Sequence, residues 1–315
     1  MRLMRSLATT TVAALLLVTA GCGDDDPLDE GSDPGNADKG SVVVGGQNFT
    51  ESQVMAAVYQ LLLEDAGYSV DTKLVTTRDV YLPELSSGSI DIVPDYLAGI
   101  TDFLNTEANG PDAPPVSSND ADETLAALEP LAEEQGISIL PPSEATDQNA
   151  FFVTEEFAAE FDLETLSDLG ALGQPIKLGA PPDCEGRADC EGGLTDVYGI
   201  DITEIVPLDF GSAQMKDAVK NGEVQLGETG TTDGTLTDLG LVLLEDDKGI
   251  QPAQNLTPAV NSDFLADNPE IEDLFNELSD LLETEDLAEM NAQVDVERQQ
   301  PEDVAREFLE GAGLL

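Results

Sequence analysis

The segment GSIDIVPDY, residues Gly88 to Tyr96, decides the fold class of this 315-residue chain. Ile90 to Val93 is a short β-rich run between a Gly-Ser turn and a proline, a pattern that predicts a strand. Helical patterns lie on both sides of the run, as they do in a parallel α/β sheet. Because ligands of such sheets bind beyond the carboxyl ends of the strands, Asp95 and Tyr96 are expected near a binding site. The alternative is that Pro94 and Asp95 only end the strand and that Tyr96 packs on the surface.

The start of the folded region shows the same alternation of strand and helix. Val42 to Val44 predicts a buried strand, and apolar residues at helical spacing from Val54 to Leu62 predict a helix. Asn48 or Thr50 is expected to cap this helix. The free N–H groups of its first turn would then suit a polar or anionic ligand group, although a plain capped helix explains the pattern equally well.

A second series of strand and helix patterns begins near residue 147. It includes a predicted strand over 224–226, followed by a predicted loop over 227–234 (GETGTTDG), and helical patterns close the chain after residue 271. These patterns predict an α/β protein with two α/β halves.

The N-terminus predicts secretion and a lipid anchor. A basic head and an apolar core precede Thr19-Ala20-Gly21-Cys22, which resembles a bacterial lipobox. Residues 1–21 are therefore predicted to be a lipoprotein signal peptide, and Cys22 the lipidated residue on the extracytoplasmic face of the cell membrane. An ordinary secretory signal with a stray cysteine is the alternative. Residues 22–40 are acidic and rich in Gly and Pro, which predicts a disordered tether.

Composition excludes several partners and chemistries. The chain carries 65 acidic against 12 basic residues, a formal charge of −53, which excludes nucleic acid as a partner. Adaptation to a saline environment explains this charge; calcium binding is the rival explanation, but no loop has the EF-hand spacing. The chain has no histidine, so Ser-His and Cys-His catalysis are excluded and a zinc site lacks ligands. We predict no metal and no cofactor.

Two cysteines remain after Cys22, and they lie close together in the sequence. Five residues separate Cys184 from Cys190, and the predicted compartment is oxidising. A small loop-closing disulfide is therefore predicted.

A family resemblance rests on five segments: VVVGGQNFTES, GSIDIVPDY, DVYGIDITEIVPLD, LLEDDKGIQP and NAQVDVERQQPEDVAREFL. In order and spacing they resemble the substrate-binding lipoproteins of glycine betaine, carnitine and choline ABC importers. The resemblance runs from about residue 41 to the C-terminus. It implies an α/β, type II periplasmic-binding-protein fold with two lobes joined by two crossover segments and closing by hinge motion. Lobe 1 is placed at 41–144 and 253–315, and lobe 2 at 145–252.

The same resemblance implies a function. It implies a receptor, expected to be a monomer, that binds a small osmoprotectant between its lobes and delivers it to a permease driven by a cytoplasmic ATPase. It implies no enzymatic activity. A secreted enzyme on the same fold and a sensory lipoprotein are the alternatives that we weighed, and the missing nucleophile motif argues against the enzyme.

In that family, a cage of tyrosines holds a quaternary ammonium group by cation–π contact. Tyr96 matches the cage tyrosine that follows the Pro-acid pair. The other three cage positions align with Asn149, Gly230 and Asn255 (or Gln254), none of which is aromatic.

The predicted cleft is consequently rich in hydrogen-bonding groups. Arg78, in a loop after a predicted strand, is expected to clamp a ligand carboxylate, with a structural ion pair as the alternative. The full predicted ligand set is Asn48, Phe49, Thr50, Arg78, Tyr81, Tyr96, Asp147, Gln148, Asn149, Thr232, Asp233 and Asn255. Such a set predicts either weak betaine binding or a polar ligand, such as a polyol or an amino-acid-like zwitterion.

Overall fold

The computed structural model describes residues 39–315 of the chain. The predicted signal peptide, Cys22 and most of the predicted tether lie outside the described residues. Within residues 39–315, no helix is both long enough and apolar enough to cross a membrane.

The described part of the chain alternates between strands and helices, as predicted. The strands are β1 (Ser41–Gln47), β2 (Ser69–Val75), β3 (Ile92–Tyr96), β4 (Ile137–Ile139), β5 (Asn149–Thr154), β6 (Pro175–Ala180), β7 (Asp201–Pro207), β8 (Leu226–Gly230), β9 (Leu241–Leu244) and β10 (Leu256–Asn261). The helices are α1 (Thr50–Asp65), α2 (Arg78–Ser86), α3 (Leu97–Asn109), α4 (Ala121–Glu134), α5 (Glu155–Phe161), α6 (Leu166–Ala171), α7 (Glu191–Asp196), α8 (Ala213–Lys220), α9 (Ser262–Asp267), α10 (Glu270–Leu281), α11 (Thr284–Asp295) and α12 (Pro301–Ala312).

The strands form two five-stranded sheets. The first has the order β2-β1-β3-β10-β4, with β1 parallel to β2 and β3, and β10 antiparallel to β3 and β4. The second has the order β7-β6-β8-β5-β9, with β6 parallel to β7 and β8, and β5 antiparallel to β8 and β9. The chain therefore leaves the first sheet after β4 and returns to it at β10. The α/β fold class predicted from the alternating patterns is confirmed.

The alternation of side chains in β1 explains how the first sheet is covered on both faces. Val42 and Val44 belong to a core cluster shared with α1, α10, α11 and α12. Val43 packs instead against the cluster formed with α2, α3 and α4. Successive residues of a strand point to opposite faces, so a continuous valine run suits a sheet with helices on both sides.

The segment that decides the fold class forms β3, but the strand begins later and ends later than predicted. It spans Ile92–Tyr96 and is buried throughout. Pro94 lies inside the strand, opposite Pro258 of β10. The pairing of β3 with β1 is confined to Val44 and Ile92, so the missing N–H of Pro94 costs that ladder no hydrogen bond. The alternative in which Pro94 and Asp95 end the strand is therefore wrong.

The predicted GETGTTDG loop is also partly strand, because Gly227 to Gly230 belong to β8. Phe152 of β5 packs directly over Gly227, where a Cβ atom would come within 2.5 Å of its ring. The glycine-rich composition indicated a loop, but Gly227 instead makes room within the sheet for the Phe152 ring.

Cys184 and Cys190 are joined by a disulfide bond in the segment between β6 and α7. Both cysteines are fully buried against the core of the second sheet. The bond closes the short loop that leads from the carboxyl end of β6 into α7.

Candidate functional site

A cavity of about 490 Å³ lies at the carboxyl ends of β1 and β8. It is lined on one side by the N-terminus of α1 and by α11, and on the other by the segment after β7, by α8 and by the end of β8 with its following loop. Five residues of the predicted ligand set line it: Phe49, Thr50, Asp147, Thr232 and Asp233. This is the position expected for a ligand in an α/β protein, beyond the carboxyl ends of strands.

Glu51 is the most deeply buried carboxylate of the cavity wall, with 3% of its surface exposed. Its Oε1 atom accepts a hydrogen bond of 2.5 Å from the Tyr96 hydroxyl, and its Oε2 atom accepts one of 2.7 Å from Asn291 Nδ2. Asn291 also donates to the carbonyl oxygen of Thr232, at 3.2 Å. One hydrogen-bonded network therefore joins α1, β3 and α11 to the loop after β8.

Asp147 lies beside Glu51 and is affected by its charge. Its Oδ1 atom accepts a hydrogen bond of 3.1 Å from Thr232 Oγ1. Burial, and then repulsion by Glu51, raises the pKa of Asp147 to about 7. The Asp147 carboxylate is also close to Gly230, where a Cβ atom would come within 2.9 Å of Oδ1. At neutral pH, Asp147 is therefore poised between its two protonation states.

Lys216 is the lysine that lines the cavity, and its charge is already compensated. Its Nζ atom lies 2.6 Å from Asp233 Oδ2 and donates to Thr235 Oγ1 at 2.7 Å. Burial alone would raise the pKa of Asp233, but hydrogen bonds from Lys216, Thr229 and Thr235 outweigh it, and the pKa is lowered. The pair is thus fixed as an ion pair on the second-sheet side of the cavity.

Aromatic rings approach the cavity from both sheets. Phe49 and Tyr96 stack with their ring centroids 6.3 Å apart and an interplanar angle of 26°. Phe210, from the segment after β7, lines the cavity and is 46% exposed, while Phe49 is 39% exposed. Exposed phenylalanines in a polar cavity offer ring faces to a ligand that is apolar or cationic.

Arg78, Tyr81 and Tyr96 do not line this cavity, contrary to the prediction. The Nε and Nη2 atoms of Arg78 donate to Asp95 Oδ1 at 2.9 and 2.7 Å, and the Tyr81 hydroxyl donates to Asp95 Oδ2. Gly99 makes room for the guanidinium, since a Cβ atom there would come within 2.5 Å of Nη2. Arg78 therefore forms the structural ion pair that was the alternative interpretation.

The predicted cap of α1 is also wrong. The N-cap residue is Phe49, which makes no side-chain cap. Asn48 Oδ1 accepts from the side chain of Gln53 at 3.1 Å, and Thr50 Oγ1 donates to Asp295 Oδ1 at 2.8 Å. Both candidate side chains are engaged elsewhere, so neither caps the helix.

The other predicted residues lie in or beside the crossover segments. Gln148 Nε2 donates to the carbonyl oxygen of Pro252 at 2.8 Å, and Asn255 Nδ2 donates to that of Ser143 at 2.8 Å. Both bonds join the segment between β4 and β5 to the segment that precedes β10.

Asn149, the first residue of β5, contacts Asp189 at 3.4 Å. Asn149 and Gln148 line a second cavity, of about 550 Å³, with Thr146. Asp147 lines the first cavity, whereas Thr146, Gln148 and Asn149 line the second. The structure therefore separates Asp147 from Gln148 and Asn149.

Sequence reasoning missed several residues that line the site, among them Glu51, Phe210 and Asn291. Phe210 follows the end of β7 by three residues, so the rule that singled out Tyr96 could have found it. Glu51 follows the end of β1 by four residues and is covered by the same rule, whereas Asn291 carries no such signal because the packing of α11 brings it to the cavity.

Comparison with known proteins identifies the family. Residues 40–311 match the family described as the substrate binding domain of ABC-type glycine betaine transport systems. This chain belongs to that family. It is 28% identical over 281 residues to the glycine-betaine-binding protein of Pseudomonas aeruginosa, covering 86% of this chain and 88% of that protein. It is 25% identical over 280 residues to the carnitine transport binding protein OpuCC of Listeria monocytogenes, covering 88% of each chain.

The fold agrees with this assignment. The structure of apo YehZ from Escherichia coli superposes with a TM-score of 0.75 at 25% identity, covering 87% of this chain and 99% of that one. The predicted type II periplasmic-binding-protein fold is confirmed. The protein is the extracytoplasmic substrate-binding component of an ABC transport system, and not an enzyme.

Proposed function

We propose that this protein binds a quaternary ammonium solute, of the class to which glycine betaine, carnitine and choline belong, in the 490 Å³ cavity between its lobes. The observation that carries the proposal is the combination of exposed rings, Phe49 and Phe210, with the carboxylates Glu51 and Asp147 around one cavity. A trimethylammonium group offers no hydrogen-bond donor, so ring faces and nearby negative charge are what can hold it.

Phe210 supports this ligand class over the polyol or amino-acid-like zwitterion suggested by the sequence. It supplies a ring on the lobe 2 side, where the aligned cage positions Asn149 and Gly230 supply none. Each cation–π contact is worth about 0.5–2 kcal/mol, so two or three rings supply several kcal/mol. The names of the relatives, which refer to glycine betaine and carnitine, agree with this chemistry.

The two lobes divide the ring faces between them. We place lobe 1 at residues 41–144 and 253–315 and lobe 2 at 145–252, joined by the crossover segments. Phe49 and Tyr96 then belong to lobe 1, and Phe210 to lobe 2. Rotation about the crossovers would bring the rings together around the ligand and separate them for its release.

The remaining features of the proposal concern the cellular setting. The protein is held at the extracytoplasmic face of the membrane by a lipid on Cys22, acts as a monomer, and delivers its ligand to a permease coupled to a cytoplasmic ATPase. Membership of the transport family supports the permease as partner. The sequence around Cys22 supports the anchor.

Calorimetric titration with glycine betaine, carnitine and choline tests the proposal. We expect at least one of them to bind, and Phe210→Ala and Phe49→Ala each to weaken binding by roughly two- to thirtyfold, which is the loss of one ring face worth about 0.5–2 kcal/mol. Val242→Ala, which truncates an exposed apolar side chain on β9, is the control and should bind as the wild type does.

Tyr96→Phe removes the hydroxyl that donates to Glu51 but keeps the ring that stacks with Phe49. Binding of a polyol with no response to any quaternary ammonium compound would contradict the proposal. So would quaternary ammonium binding that neither aromatic variant changes.

A further inference from the structure

The charge of the cavity wall is strongly negative. Glu51, Asp147, Asp233 and Asp295 line the cavity, together with Lys216. Lys216 lies 2.6 Å from Asp233, so these two charges cancel. Glu51 and Asp295 remain, together with Asp147, which is partly ionised at neutral pH. Among the described residues that line the cavity, none offers a ligand an uncompensated cation.

The hydrogen bonds to Glu51 and Asp147 come from neutral groups. Tyr96 and Asn291 donate to Glu51, and Thr232 donates to Asp147. Neutral donors satisfy the carboxylate oxygens but do not balance their charge, and a buried charge without a countercharge is costly. A cation that enters the cavity would balance it.

The N-terminus of α1 could in principle hold the carboxylate of a zwitterion. It carries roughly half of an elementary positive charge at the cavity. Glu51 lies in the first turn of this same helix and already offsets that charge. The helix therefore does not reverse the negative potential of the wall.

Asn291 adds a second and independent indication about the ligand. It lines the cavity and is 9% exposed, and its Oδ1 atom has no hydrogen-bond partner among the described residues. A buried acceptor without a donor destabilises the protein, so a ligand that brings a hydroxyl or N–H donor is favoured.

We infer that the cavity selects quaternary ammonium ligands that carry a net positive charge and a donor group, as in choline-type amino alcohols, over zwitterions of similar size such as glycine betaine. This inference rests on the proposed function, because it places the ligand in the same cavity. The positive head lies between the rings and the Glu51–Asp147 pair. The carboxylate of a zwitterion would meet the uncompensated wall, whereas the hydroxyl of an amino alcohol has an acceptor there.

The test compares three ligands of similar shape by calorimetry on the folded protein: choline, glycine betaine and 3,3-dimethylbutan-1-ol, the neutral carbon analogue of choline. Titration in 1 M sodium chloride reduces the Debye length to about 3 Å, which suppresses attraction to the acidic surface while leaving the buried pair in place. We expect choline to bind at least tenfold more tightly than glycine betaine, and the neutral alcohol at least a hundredfold more weakly than choline.

Neutral variants assign the preference to the two carboxylates. Glu51→Gln and Asp147→Asn should each reduce the ratio of choline to glycine betaine affinity by tenfold or more. Glu160→Gln, which neutralises an exposed carboxylate on α5, should leave the ratio unchanged. Circular dichroism verifies that each variant is folded. If Glu51→Gln does not fold, the affinity ratio of Asp147→Asn alone tests the assignment.

Glycine betaine binding as tightly as choline, or a ratio that both folded variants leave unchanged, would overturn the inference while the proposed function stands. Failure of every quaternary ammonium compound to bind would overturn both.

Discussion

The ion pair between Arg78 and Asp95 gives the sharpest quantitative prediction. Asp95 is 1% exposed and accepts hydrogen bonds from Arg78, from the Tyr81 hydroxyl and from the backbone N–H of Tyr96. Replacing Arg78 with Met keeps most of the apolar volume but leaves Asp95 buried without its countercharge. Breaking a buried pair in this way costs about 3–5 kcal/mol. Because Tyr81 and the backbone still donate to Asp95, we expect about 3 kcal/mol.

Urea denaturation at constant salt measures this loss, and Arg306→Met is the matched control. Arg306 lies 3.8 Å from Glu302 on the surface of α12, with both side chains about half exposed. An exposed pair of this kind contributes about 0–1 kcal/mol. The double variant Arg78→Met, Asp95→Asn should recover part of the stability, because the buried charge is then gone.

The same variant distinguishes a structural arginine from a ligand clamp. If Arg78 only holds Asp95, Arg78→Met should lower the free energy of unfolding and leave ligand affinity within about threefold. A loss of stability no larger than that of Arg306→Met, together with abolished binding, would refute the reasoning and restore Arg78 as the carboxylate clamp.

Other predictions follow from the remaining charged and covalent features. The pKa of Asp147 is raised to about 7, so its ionisation destabilises the ligand-free fold as the pH rises from about 4 to about 8. Asp147→Asn should therefore be stabilised relative to the wild type at pH 8 but not at pH 4 in paired denaturation curves; equal differences at both pH values would contradict this. Reduction of the Cys184–Cys190 bond should cost about 2–3 kcal/mol of unfolding free energy, and identical melting of oxidised and reduced protein would argue against it. The formal charge of −53 should make the melting temperature rise with sodium chloride, and a flat profile would indicate bound counterions. Cys22→Ser should move the protein from the membrane fraction to the medium, and unchanged membrane retention would disprove lipidation.

The sequence by itself determined the fold class, because the decisive signals are local. The valine run of β1 predicts a strand buried on both faces, and the apolar spacing of α1 predicts a helix with one buried face; together they indicate helices packed on a sheet. The segment ending in Tyr96 predicted an aromatic side chain just beyond a strand; Tyr96 is instead the last residue of β3, and its ring stacks with Phe49.

The tertiary structure decided which polar side chains face a ligand. Arg78 and Asp95 are 17 residues apart, and no local pattern indicates that they form a buried pair. Asn291 reaches Glu51 across 240 residues of chain, because α11 packs beside α1. Phe210 supplies a ring where the aligned positions have none. Burial and charge pairing depend on what the whole fold brings together, whereas strand and helix patterns depend on neighbours in the sequence.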